Sequence, residues 1–119
     1  KRKCYMTRRN YLISLRHMLD SAQEANSFVR DRSREDLDED RLLNLALTRL
    51  VVIIGEAANR IPTDEQQMYR EIDWPKIVGM RNRLIHEYDV VDLDILWETA
   101  VQDLPPLISA IERILDKRP

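Results

Sequence analysis

Arg81, Asn82, His86 and Tyr88 fall within eight residues, in the stretch MRNRLIHEYDVVD from Met80 to Asp92. Histidine titrates near neutrality and can both take and return a proton. Arginine presents a planar fork that matches a phosphate and keeps its charge at any physiological pH. Together they suit proton transfer beside a phosphate group, with the guanidinium balancing the negative charge that gathers there. In this reading His86 is the general acid/base and Arg81 the transition-state cation. Asn82 lies four positions before His86 and can orient the imidazole or hold a phosphate oxygen. Tyr88 can donate to phosphate or stack on a base.

A single straight helix does not bring these groups together. Arg81 and Tyr88, seven apart, nearly eclipse, but the five steps from Arg81 to His86 turn about 500°, leaving them roughly 140° apart around the axis. Either the helix loosens before His86, or two copies of the chain face each other and each supplies part of a site. The second option explains more, because a twofold axis sets the same patch opposite itself. A homodimer built on the fourth and fifth helices is therefore expected. Arg83 and Glu87, at i and i+4, read as an ordinary surface ion pair.

Composition narrows the setting. The chain has 119 residues, 44% hydrophobic and 34% charged, with two glycines, which fits one all-α domain better than a sheet protein. Cys4 is the only cysteine, so neither an intrachain disulfide nor a thiolate metal cluster can form. No metal and no cofactor are expected. A formal net charge of −2 means that any RNA contact must be local. Lys1, Arg2, Lys3, Arg8 and Arg9 could touch phosphates but read more simply as a solvated terminus. The longest apolar run, Leu50 to Ile54, is far short of the roughly 18 residues of a membrane span, and no signal peptide is apparent, so a cytoplasmic protein without membrane contact is expected. The absence of an initial Met suggests an incomplete start.

The elements that must position the motif follow from apolar spacing and from capping residues. Helices are expected over about 7–29, 39–60, 64–70, 74–88 and 93–116, forming an up-and-down bundle of four long helices plus a short one. The charged stretch DRSREDLDEDR reads as a solvated loop, with Asp38 capping the second helix. Pro62 ends that helix, and TDEQ from Thr63 reads as a capping box for the short one. Asp73 and Pro75 open the fourth, and Asp92 caps the fifth. Pro105 and Pro106 predict a kink near Val101 to Asp103. His17 reads as solvent-facing, Trp74 and Trp97 as core or interface anchors. Glu56 and Asn59 either line the cleft or make a buried structural hydrogen bond.

The residues Arg81 to Tyr88, RNRLIHEY, resemble the R-x4-H-x-Y signature of HEPN-domain proteins of the HepT type, toxin halves of prokaryotic toxin–antitoxin pairs. IIGEAANRIP at Ile53 to Pro62 and DWPKIVGMRNRLIHEYDVVD at Asp73 to Asp92 resemble HepT blocks in the same order. The likeness runs from roughly Leu37 to Leu115. It implies a HEPN-like helical homodimer with the signature at its interface and a metal-independent endoribonuclease acting on RNA. It also implies an operon partner that is a minimal nucleotidyltransferase antitoxin of the MNT type, which silences the toxin by transferring AMP to the motif tyrosine, here Tyr88. Two rival readings use the same residues: a non-catalytic HEPN module that binds a nucleotide or a partner helix, and a protein that matters chiefly as the substrate of its nucleotidyltransferase.

Overall fold

The computed structural model describes residues 8–85 and 90–117, the side chains of 8–10 excepted. The described residues are all-α: α1 (Arg8–Val29), α2 (Asp36–Glu39), α3 (Arg41–Asn59), α4 (Thr63–Gln66), α5 (Trp74–Val78), α6 (Met80–Leu84), α7 (Leu93–Glu98) and α8 (Leu104–Asp116), with a π turn at Thr99–Asp103 joining the last two.

Three long helical spans make the body. α1 lies along both α3 and α8. It buries the stripe Leu15, Met18, Leu19, Ala22, Ala25 and Val29 that its spacing predicts. Leu47, Val51, Ile54 and Ala58 of α3 and Leu104, Leu107, Ile111 and Ile114 of α8 complete the core. Each fully buried leucine or isoleucine contributes on the order of 1.5–3 kcal/mol, so this packing outweighs any local propensity. By length and composition α3 would qualify as a membrane span, with a mean hydropathy of 1.4 over 18 residues; half of that window is buried inside the fold, as in a core helix.

The expected fourth long helix, 74–88, is not continuous. It breaks at Gly79, which closes α5 and opens α6, and it ends at Leu84. Ile85 is extended (φ −106°, ψ 122°) and forms an isolated antiparallel bridge with Val91, while the Asp92 amide donates to the Leu84 carbonyl at 2.9 Å. Both Ile85 and Val91 pack against the core, which gives the chain an apolar reason to leave the helix there. The fifth helix spans the predicted range, and the π turn covers the expected kink. Pro105 and Pro106 have no amide hydrogen, and Leu104, the last donor before them, reaches back to Thr99.

Asp73 and Asp92 cap as predicted, accepting from the Lys76 amide at 3.3 Å and the Ile95 amide at 3.1 Å. The cap of α3 is Asp40, not Asp38; its carboxylate accepts from Leu43 at 3.1 Å. The short helix is one turn, Thr63–Gln66, shorter than the 64–70 expected, with Pro62 at its N-cap position and no side-chain cap. α1 stops through Asp31, whose φ of 63° is left-handed, a conformation Asp tolerates better than most residues.

The charged stretch after α1 is a tied strap rather than a free loop. Arg32 reaches Asp36 at 3.2 Å and Asp40 at 2.9 Å, and Arg34 reaches Asp38 at 3.3 Å and Asp94 at 2.7 Å. The Ser33 amide and the Arg32 guanidinium hold Asp36 below the ordinary carboxylate value of 3.8. Arg32 and the Leu43 amide do the same for Asp40. Because both folded values are depressed, their stabilisation is complete above 3.8 and is lost as pH falls through the lower folded values. A Asp36→Asn/Asp40→Asn double variant should therefore melt below the parent at neutral pH, with the gap closing under acid conditions. Calorimetry across that range checks it; a gap independent of pH would refute the assignment.

Candidate functional site

Arg81 and Asn82 stand on the exposed side of α6, whereas Met80 and Leu84 of the same turn and a half are buried. Neither exposed side chain makes a hydrogen bond or ion pair with a described residue. His86 and Tyr88, expected as acid/base and as AMP acceptor, lie outside the described residues, as does Glu87. The finding that α6 ends at Leu84 bears directly on them. The angular objection to pairing Arg81 with His86 assumed one helix through both, and the chain leaves helical geometry before His86. The helix does end before His86, as the first option has it, and the second option is a separate question of assembly. The same break removes the helical basis for the pairing of Asn82 with His86 at four residues and of Arg81 with Tyr88 at seven.

α6 sits where it does because α3 lets it approach. A Cβ on Gly55 would come within 3.3 Å of the Ile77 carbonyl oxygen, 3.6 Å of the Val78 carbonyl oxygen and 3.9 Å of the Arg81 nitrogen. The bare glycine thus admits the backbone of the α5–α6 junction against the central helix. Ile77, Met80 and Leu84 fill the contact.

On the other side the junction is gripped electrostatically. Asp103 of the π turn, only 11% exposed, forms an ion pair with Lys76 of α5 at 3.0 Å through Oδ1 and accepts from Arg83 of α6 at 3.4 Å through Oδ2. Arg83 therefore pairs across the fold with Asp103; Glu87, its expected partner, lies outside the described residues. A cavity of about 150 Å³ lies beside this contact, lined in part by Lys76, Gln102, Asp103 and Pro106.

The remaining candidates resolve plainly. Glu56 and Asn59 are exposed, so neither makes a buried structural hydrogen bond. His17 is exposed as expected. Trp74 is buried, with its indole donating to the Tyr69 carbonyl at 3.0 Å, and Trp97 packs at the edge of the core. Among the described residues no group of three or more His, Cys, Asp and Glu side chains could hold a metal ion. Sequence reasoning missed Asp103 and Gly55. The only hint of Asp103 was a carboxylate inside a predicted kink, and Gly55 showed only as a lone glycine in an otherwise strong helix.

A helical body that exposes an arginine and a polar neighbour on a short docked helix, just before a histidine and a tyrosine in the sequence, is compatible with the HEPN class that the sequence resembles. The comparisons agree: the Ribonuclease HepT-like family model matches residues 18–114, and the chain belongs to that family. It is 36% identical over 103 residues to "Putative RNase TTE0752" of Caldanaerobacter subterraneus subsp. tengcongensis, covering 87% of this chain and 92% of that one. It is 34% identical over 106 residues to "Probable ribonuclease HepT" of Thermococcus cleftensis, covering 89% and 94%. A third relative, "Gamma-glutamylcyclotransferase and putative RNase MJ0434" of Methanocaldococcus jannaschii, is 32% identical over 110 residues, and there the match spans 92% of this chain but half of the other. No solved structure matches significantly.

Replacing Gly55 by valine should drive a branched side chain into the Ile77 carbonyl and cost on the order of 1–3 kcal/mol. Urea denaturation reads the loss; an undiminished midpoint would show that the junction does not depend on this approach.

Proposed function

We propose that the protein is a metal-independent endoribonuclease of the HepT type, the toxin of a prokaryotic toxin–antitoxin pair, acting on RNA in the cytoplasm. The observation that carries the reading is family membership over residues 18–114, joined to an exposed Arg81 on a short helix that ends two residues before His86 in the sequence. Arg81 binds the scissile phosphate and balances the charge of the five-coordinate phosphorus. His86 moves the proton between the 2′-OH and the leaving oxygen, and Asn82 holds a phosphate oxygen or steers the imidazole. Cleavage through the 2′-OH conserves atoms: the 2′ oxygen forms the new P–O bond, the 5′ oxygen departs, and one proton passes from the first to the second.

The active form in this reading is a homodimer with the motif at its interface. The resemblance supports that assembly, while helical geometry no longer demands it. A minimal nucleotidyltransferase antitoxin neutralises the enzyme by adenylylating Tyr88, which sets a phosphate and a base in the cleft and blocks RNA by charge and bulk. The binding-module reading, in which the same surface holds a nucleotide or partner and cuts nothing, has no observation that favours it.

Purified protein should cleave total RNA in the presence of a chelator, and His86→Ala should slow it about a hundredfold to ten-thousandfold. Undiminished cleavage by that variant would refute the catalytic assignment, and absence of cleavage by the parent would favour the binding module. Expression without the antitoxin should arrest growth, and Arg81→Ala should relieve the arrest. Co-expression with a neighbouring nucleotidyltransferase should add AMP-sized mass increments that vanish in Tyr88→Phe. A parent protein of unchanged mass would remove the silencing step.

A further inference from the structure

We propose that Asp103 is a positioning residue for RNA cleavage: presented by the π turn, its carboxylate latches α5 to α6 through Lys76 and Arg83 and so fixes the direction of Arg81. The proposal rests on the ribonuclease reading above.

α5 and α6 have five residues each, and isolated helices of that length do not hold together in water. Their relative orientation must be imposed from outside, and the break at Gly79 leaves a hinge between them. Asp103 spans this hinge with one oxygen on each side, 3.0 Å to the Lys76 ammonium and 3.4 Å to the Arg83 guanidinium. Its low exposure gives the pair less water to compete with than an ordinary surface bridge.

The latch also sets rotation. Arg83 is two residues beyond Arg81, about 200° around the helix, so drawing Arg83 toward the π turn turns Arg81 toward the opposite side. There it meets solvent and has no described partner. The π turn is what makes the contact possible, because the wider turn shifts the register of the helix just where Asp103 must face α5 and α6. Such local departures recur at functional sites, and here the two prolines that follow stabilise it.

The test compares single-turnover cleavage of an RNA oligonucleotide by the parent, Asp103→Asn, Asp103→Glu, Arg83→Gln and the Asp103→Asn/Arg83→Gln pair. Asp103→Asn should lower the cleavage rate roughly tenfold to a hundredfold, the scale that small misplacements cost, with oligonucleotide affinity little changed. Asp103→Glu should restore most of the rate. Arg83→Gln should match Asp103→Asn, and the pair should be no slower than either alone, because both act through one contact. A folded Asp103→Asn that cleaves at the parental rate overturns the proposal, as does a loss that merely follows the unfolded fraction. If Asp103→Asn fails to fold, Arg83→Gln carries the same test, and a parental rate there overturns the proposal.

If the parent itself cuts no RNA, the ribonuclease reading fails and the latch is read separately. The Arg81 side-chain Nε–Hε resonance should move in folded Asp103→Asn; an unmoved resonance overturns the latch as well.

Discussion

The site depends on two helical turns that cannot exist alone. α5 and α6 are too short to pay for their own ordering, so each is a helix only because the rest of the fold holds it. One face rests on α3, where Gly55 admits the junction backbone and Ile77, Met80 and Leu84 are buried. The other side is held by Asp103 through two cations. Remove the apolar contact and the turns have no reason to form; remove the ionic one and their mutual angle is free. Arg81 takes its direction from both.

This construction explains why the motif tolerates a break where a long helix was expected. A continuous helix from Trp74 would fix Arg81 and His86 on different sides of one cylinder. Ending α6 at Leu84, with Ile85 bridged to Val91, gives the chain a change of direction between the two residues while both flanks stay anchored to the core. The break is thus compatible with chemistry that the unbroken helix would hinder. It also shifts the burden of argument for a dimer from angular necessity to the family resemblance.

Much of the body was legible in the sequence, because the signals there are strong and local. The 3.6-residue stripes of α1 and α8, the caps at Asp73 and Asp92, and the stop at Pro62 all act within a few residues of themselves. The motif residues were readable as candidates, from the chemistry of Arg81 and His86 and from the resemblance, and of them the described residues include Arg81 and Asn82. What was not legible is long-range. Lys76 and Arg83 meet Asp103 across 27 and 20 residues, and no spacing rule announces such a pairing. The cap at Asp40 was mistaken for Asp38 because five acids crowd the six residues from Glu35 to Asp40, and only the strap formed by Arg32 shows which of them faces the Leu43 amide.

Charge ties these observations together. A chain with a net charge of −2 does not draw a polyanion from a distance, so recognition must come from short-range groups whose positive charge is not already balanced. Arg32 and Arg34 are committed to the strap, and Lys76 and Arg83 to Asp103. By placing one carboxylate against two cations, the π turn engages Arg83 in an ion pair and leaves Arg81 facing solvent without a described counter-charge. An arginine in that condition has its desolvation still ahead of it, and in the proposed reading a phosphodiester supplies the bidentate acceptor it lacks. The same carboxylate that keeps the turns in register therefore also engages the guanidinium of Arg83 while leaving that of Arg81, two residues away, open to a phosphate in the proposed reading.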